Sequence, residues 1–143
     1  MKLNIAFNKE LSGYTNIDIS KQPIDLGNLD SVCGPSECTE IILDKVLNYI
    51  PFRNIGKALE HICSKMRLRG RMIIIFHDVS SIIRKYFIAE INEEELNLAL
   101  FGLGYRSAFS YDHITEILPP TVGVSSITTL DGQVTIVLER KNG

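Results

Sequence analysis

Apolar and polar positions alternate in short blocks along the first third of the chain. Lys2 to Phe7 is a short apolar run that gives way to polar residues and Gly13, the pattern of a strand ending in a turn. Tyr14 to Ile19 is rich in β-branched and aromatic residues and predicts a second strand. The link between the two is too short for the usual crossover helix. Thr39 to Leu43 predicts a third strand, continuous in apolar character as buried parallel strands are. The period then changes. Ile55, Leu59, Ile62 and Met66 recur at helical spacing, so a helix is expected over Asn54 to Met66. Gly70 closes that connection, and Arg71 to Phe76 is the strongest strand pattern of all. Such a strand-helix-strand unit crosses over right-handedly.

Punctuation is sharper in the second half. Asn92 predicts a helix cap with Glu95 at the third position, flanked by Ile91 and Leu96 as a hydrophobic staple. Glu93 and Glu94 put negative charge in the first turn, favourable against the helix dipole, so cap chemistry accounts for this acidic run without a catalytic or metal role. Ser110 caps a further short helix with Ile114, Ile117 and Leu118 inward, which Pro119-Pro120 ends. Val124 to Thr129 and Val134 to Arg140 read as two strands joined at Asp131-Gly132, a hairpin signal.

The chain has 143 residues, enough for one domain with a real core, and nothing in it reads as a linker or a repeat. Net charge is -2 with no basic block, which argues against a nucleic-acid footprint. The longest apolar run, Met72 to Phe76, is far too short to cross a bilayer, and Met1-Lys2 leads into a strand rather than a secretory signal. A cytoplasmic protein is expected. Cys33, Cys38 and Cys63 form no C-x-x-C pair and read as reduced thiols. His61, His77 and His113 lack ligand spacing, so no metal is expected. No Ser-His-Asp, Cys-His or P-loop arrangement is visible.

Several segments recur in a telling order. Leu3-Asn4-Ile5 precedes Gly13-Tyr14-Thr15-Asn16-Ile17-Asp18. Then come Glu40-Ile41-Ile42-Leu43-Asp44-Lys45-Val46-Leu47-Asn48-Tyr49-Ile50-Pro51 and Met66-Arg67-Leu68-Arg69-Gly70-Arg71-Met72, and finally Asn97 with Leu100-Phe101-Gly102. These resemble, in turn, the motifs L-N-[IL]-G-x-G, G-Y-x-N-[IV]-D, E-I-x-x-x-x-V-L-E-H-I-P, L-K-P-G-G-x-L and N-x-x-L-F-G. They are motifs of the class I S-adenosylmethionine-dependent methyltransferases, in their small type 11-like branch of predicted methyltransferases. The resemblance runs through essentially the whole chain. It implies an α/β domain with a Rossmann-like methyltransferase sheet, mostly parallel, with a C-terminal antiparallel hairpin and a trimmed first half. It also implies S-adenosylmethionine as cofactor.

Carried over residue by residue, the resemblance puts Ala6 and Asn8 at the two glycine positions of the first turn, with Phe7 between them, where it either fills the pocket or lies in the core. Alanine adds one methyl group there, and asparagine is the non-glycine residue that best tolerates positive φ. Asp18 matches the acidic residue that accepts from the ribose hydroxyls. Asp25 lies where an acidic residue stands near the adenine. Asp44 faces the cofactor's methionine end, or else caps a short turn. Asn48-Tyr49 replaces the family's E-H, while Leu68 and Arg69 replace the proline and one glycine of P-G-G. His77-Asp78 ends the strongest strand, where open α/β sheets bind ligands, so His77 reads either as a general base or as a loop histidine. The reading that follows is methyl transfer to a small-molecule acceptor. The alternatives are an inactive relative that binds a protein partner or a second copy of itself, and a nucleotide binder that keeps Asp18.

Overall fold

The computed structural model describes residues 1–21 and 26–141. Six strands form one sheet: β1 (Lys2–Ala6), β2 (Thr15–Asp18), β3 (Cys38–Asp44), β4 (Met66–His77), β5 (Val122–Leu130) and β6 (Gln133–Arg140). Their order is β2-β1-β3-β4-β6-β5. The first four run parallel, and β6 runs antiparallel to both β4 and β5. The helices are α1 (Leu26–Val32), α2 (Ile55–Cys63), α3 (Val79–Phe87), α4 (Glu93–Phe101) and α5 (Tyr111–Ile117). This is the Rossmann-like methyltransferase sheet, mostly parallel and closed by an antiparallel hairpin, that the sequence implies.

Register explains where the core lies. Leu3 and Ile5 pair across to Ile41 and Leu43, these to Met72 and Ile74, and these to Leu138 and Ile136. All eight are buried on one face of the sheet. From α2, Ile55, Leu59 and Ile62 join the same cluster, and Phe109 and Ile114 close it beside Phe76. The other face carries Asn4, Ala6, Glu40, Ile42, Asp44, Ile73, Ile75 and His77, and there Ile42, Ile73 and Ile75 are only half-buried. β3 is a parallel strand with Ile41 and Leu43 buried on its core face, and on its other face Glu40 is buried and Ile42 half-buried.

On that second face polar side chains do the work of a missing crossover helix. Asn4 Nδ2 donates to the Lys9 carbonyl at 3.2 Å and to Asn16 Oδ1 at 3.0 Å, and Asn16 Oδ1 also accepts from the Leu11 amide at 2.9 Å. The link 7–14 is thereby pinned to β1 and β2 by the residues beneath it.

Two boundaries move. The helix expected to reach Met66 stops at Cys63, and Met66 opens β4 opposite Cys38. Helical spacing from Ile62 and strand burial both place an apolar residue at that position, so period alone misassigned it. Gly70 lies inside β4 at a register shift rather than ahead of the strand. A Cβ there would come within 2.8 Å of the Arg67 carbonyl and 2.9 Å of the Cys38 carbonyl, both backbone, so glycine is required.

The caps match their sequence signals. Asn92 Oδ1 accepts from the Glu95 amide at 2.8 Å, and Glu95 Oε1 accepts from the Asn92 amide at 3.3 Å. Asn92→Ala should cost about 1 kcal/mol in chemical denaturation, and Glu94→Ala much less. Asp131 and Gly132 take φ of 51° and 81°, as the tight hairpin turn demands. Cys33, Cys38 and Cys63 are free and buried, and burial first of all pushes the Cys38 and Cys63 thiols up to about 12. Among the described residues no group of three or more metal-ligating side chains gathers, and no helix is long and apolar enough to cross a membrane.

Candidate functional site

β1 has β2 on one side and β3 on the other, so the chain reverses direction across the sheet between β1 and β3. Ligands of open α/β sheets bind outside the carboxyl ends of the strands at such a switch point. Two left-handed turns flank it: Asn8 follows β1 with φ of 51°, and Lys45 follows β3 with φ of 59°. Asn8 thus keeps the backbone that a glycine would supply, as its residue type predicts. Ala6 is 1% exposed at the end of β1, paired with Asp18 on one side and Asp44 on the other.

Asp18 holds the turn. Its Oδ1 accepts from the Asn8 amide at 2.8 Å, the Ser20 amide at 2.9 Å and the Ser20 hydroxyl at 2.6 Å. The Ser20 hydroxyl foremost, then the two amides, hold the carboxyl below the usual aspartate range. Asp18 is therefore ionised at neutral pH and accepts only, and Oδ2 stands outside this set of bonds. Asp44 is not a helix cap, because the short turn at Leu47–Tyr49 is preceded by Val46 with no side-chain cap. Instead Asp44 Oδ2 pairs with Lys9 Nζ at 2.8 Å, across the mouth between β1 and β3. Asp25 lies outside the described residues.

Phe7 is not in the core. It is 38% exposed and stacks on Tyr49 at 5.5 Å with an interplanar angle of 5°, and Tyr105 meets Tyr49 edge-on at 5.0 Å. A residue that follows a buried strand reads as core, but Phe7 lies just past the end of β1, where its ring meets Tyr49 at the surface. Asn48 is buried and donates from Nδ2 to the Ser107 carbonyl at 3.1 Å, and its Oδ1 has no hydrogen-bond partner among the described residues.

Beyond Tyr105 opens a cleft of about 370 Å³ between α3, α4 and the β5–β6 turn. Its polar lining is His77, Ser81, Lys85, Glu95, Tyr105 and Asp131, and Ile82, Ile91, Leu98 and Ala99 supply the apolar part. His77 is the last residue of β4, whereas Asp78 caps α3 by accepting from the Ser80 amide at 3.4 Å. Burial first, then Lys45 and Lys85, lower the His77 pKa, so its ring is neutral at physiological pH. Lys85 Nζ pairs with Asp131 Oδ1 at 2.9 Å. Sequence reading found His77 but missed Lys85, Tyr105 and Asp131. Only Asp131 carried a signal, and that signal was a turn.

The structure resembles that of an S-adenosylmethionine-dependent methyltransferase from Methanosarcina mazei, with a TM-score of 0.61 at 9% identity over 99% of this chain and 93% of that one. It also resembles the 1,6-didemethyltoxoflavin-N1-methyltransferase of Burkholderia thailandensis, solved with 1,6-didemethyltoxoflavin and S-adenosylhomocysteine, with a TM-score of 0.60 at 9% identity over 98% and 71%. An O-methyltransferase family protein from Burkholderia thailandensis gives 0.61 at 12% identity over 91% of this chain, which spans only 36% of that protein. No family model matches the sequence, and no curated protein matches it. At these identities the likeness shows the fold, that of the class I methyltransferases, and nothing finer.

Proposed function

We propose that this protein is an S-adenosylmethionine-dependent methyltransferase acting on a small molecule. The observation that carries the proposal is the Asn8 turn. At a position where the resemblance has glycine, the backbone keeps a glycine conformation and is tied by its amide to Asp18, the residue matched to the ribose. The solved methyltransferases of the same fold support the reading.

The residues present fit the cofactor. Asp18 offers ionised oxygen to hydroxyl donors. Lys9 and Asp44 offer one charge of each sign at the switch point, matching the carboxylate and ammonium of a methionine zwitterion. When bound, the cofactor supplies an electrophilic methyl group, and the chain's part is mainly to position it against the acceptor. The change from E-H to Asn48-Tyr49 removes an ionisable pair from this rim, so any proton must be received elsewhere.

Lys9→Ala tests the assignment of the methionine end. Its affinity for S-adenosylhomocysteine should fall by about tenfold or more, while affinity for adenosine, which lacks the zwitterion, should stay as it was. Equal losses for both ligands would remove Lys9 from the methionine end.

A second reading, an inactive relative serving as a binding module, draws on the half-buried sheet face. Ile42, Ile73, Ile75 and Val137 lie side by side there, and a partner chain would cover them. It predicts no affinity for either ligand.

A further inference from the structure

We infer that the outer edge of β5 is a docking surface for a second copy of this chain, the two strands pairing antiparallel about a two-fold axis at Ile127 into one continuous sheet. This edge lies beyond β4 and β6, remote from the switch point, so the pairing leaves the candidate cofactor site open and stands apart from the methyltransferase reading.

The sheet has two edges, and they differ. β2 is four residues long and ends in Asp18, as a blunted edge does. β5 is nine residues long and contains neither a charge nor a proline. Among the described residues only β6 pairs with it, so no strand meets the backbone donors and acceptors along its outer side. Val124 to Leu130 are exposed without a break, which leaves both faces of the strand uncovered, with Ile127 at 43% and Leu130 at 77%. Another strand supplies donors and acceptors at the repeat such an edge presents.

Sequence symmetry then selects which strand. Val124-Ser125-Ser126-Ile127-Thr128-Thr129-Leu130 reads alike in both directions: apolar, two hydroxyls, apolar, two hydroxyls, apolar. Paired with itself about Ile127, it sets Ile127 against the partner's Ile127 and Ser126 against the partner's Thr128. Cross-strand pairs of both kinds are favourable. A slip of one residue would set Ile127 against a hydroxyl side chain instead. Just past the block, Asp131 falls opposite the partner's Gly123, and the Lys141 side chain lies in the space that a Cβ on Gly123 would take. Asp131 is paired with Lys85 but 86% exposed, so it is open to this second cation, and the two-fold axis repeats the contact at the other end. Glu139 and Arg140 of β6 lie beside Gly123 and Val122, outside the seven-residue block.

Two features keep the product a dimer. The register shifts at Ser125, which has no partner on β6, and this keeps the regular ladder short. A two-fold pairing also uses up both β5 edges, so it closes rather than propagates. A single strand pair of about 24 Å falls short of the roughly 800 Å² per partner of a standard stable interface. Association is therefore weak, with a Kd on the order of 100 µM.

Sedimentation velocity of the full chain, without ligand, from about 10 µM to about 1 mM tests the pairing. A monomer at the low end and a dimer at the high end are expected. Ile127→Lys puts like charges on the axis at a position that is exposed in the monomer, and it should weaken association by about tenfold or more. Lys141→Glu, which faces the partner's Asp131, should weaken it by about threefold to tenfold and carries the test alone if Ile127→Lys fails to fold. Amide hydrogen exchange at the high concentration should slow within residues 124–130 and stay unchanged on α3 and α4. A chain that stays monomeric at about 1 mM, or a dimer that both variants leave unchanged, would overturn the inference. The second outcome would move the contact to exposed rings such as Phe87 and Phe101. Species that grow past the dimer with concentration would overturn the two-fold axis.

Discussion

Replacing Ile74 by alanine is expected to lower the stability of the fold by about 4 kcal/mol, with Tm falling on the order of 10 °C. Ile74 is fully buried in β4, between Leu43 of β3 and Ile136 of β6, on the face that holds the whole hydrophobic cluster. Removing three carbons there leaves a cavity that rigid strand neighbours on both sides cannot close. Its chain neighbour Ile73 points to the opposite face and is only half-buried. Ile73→Ala should therefore cost less than half as much. Urea denaturation of both variants measures the difference, and equal losses would mean that the second face is as tightly packed as the first.

Asp18→Ala should weaken S-adenosylhomocysteine binding by roughly tenfold to a hundredfold. The carboxylate has two tasks that no neutral residue of the same size performs. It accepts one hydrogen bond from the Asn8 amide and two from Ser20, and in the proposed site it presents an ionised acceptor to the ribose. Unlike Lys9→Ala, the change should weaken adenosine to the same degree, because the ribose is common to both ligands. The sign with pH follows from the depressed pKa. The bonds to Asp18 are complete at and above the usual aspartate pKa and are lost only as pH falls through the lower folded value. Ligand binding should accordingly be flat through neutrality on Asp18's account. Glycine at positions 6 and 8 should keep or improve affinity, since it returns space without removing a side-chain contact. Unchanged affinity in Asp18→Ala would separate the ribose from Asp18.

Elements with local chemistry were legible in the sequence. Asp131-Gly132 specified the hairpin and Asn92 with Glu95 the capping box, because in each the residues that set the backbone are within three positions of one another, whereas the turn at Asn8 was read from the resemblance. The helix α3 was not read although Val79, Ile82, Ile83, Tyr86 and Phe87 recur at helical spacing, because its cap, Asp78, directly follows the strongest strand and looks like a strand end. Where pairing depends on distant segments, sequence reasoning had no purchase. Lys9 and Asp44 are 35 positions apart and meet only because β1 and β3 are neighbours in the sheet. Lys85 and Asp131 are 46 apart and meet where α3 packs on the hairpin turn. Phe7 shows the opposite error, an apolar residue assigned to the core by its neighbours in sequence although it lies past the end of β1 and stacks on Tyr49, 42 positions away.

The central claim is that the turn at Asn8, with Asp18, Lys9 and Asp44 around it, is a living nucleoside site. Isothermal titration of the folded chain with S-adenosylhomocysteine tests it most directly. The account predicts saturable binding of one ligand per chain, weakened in Asp18→Ala. A folded chain that takes up no ligand at about millimolar concentration, a regime in which even a bond worth about 4 kcal/mol is visible, would contradict it and leave the binding module in its place.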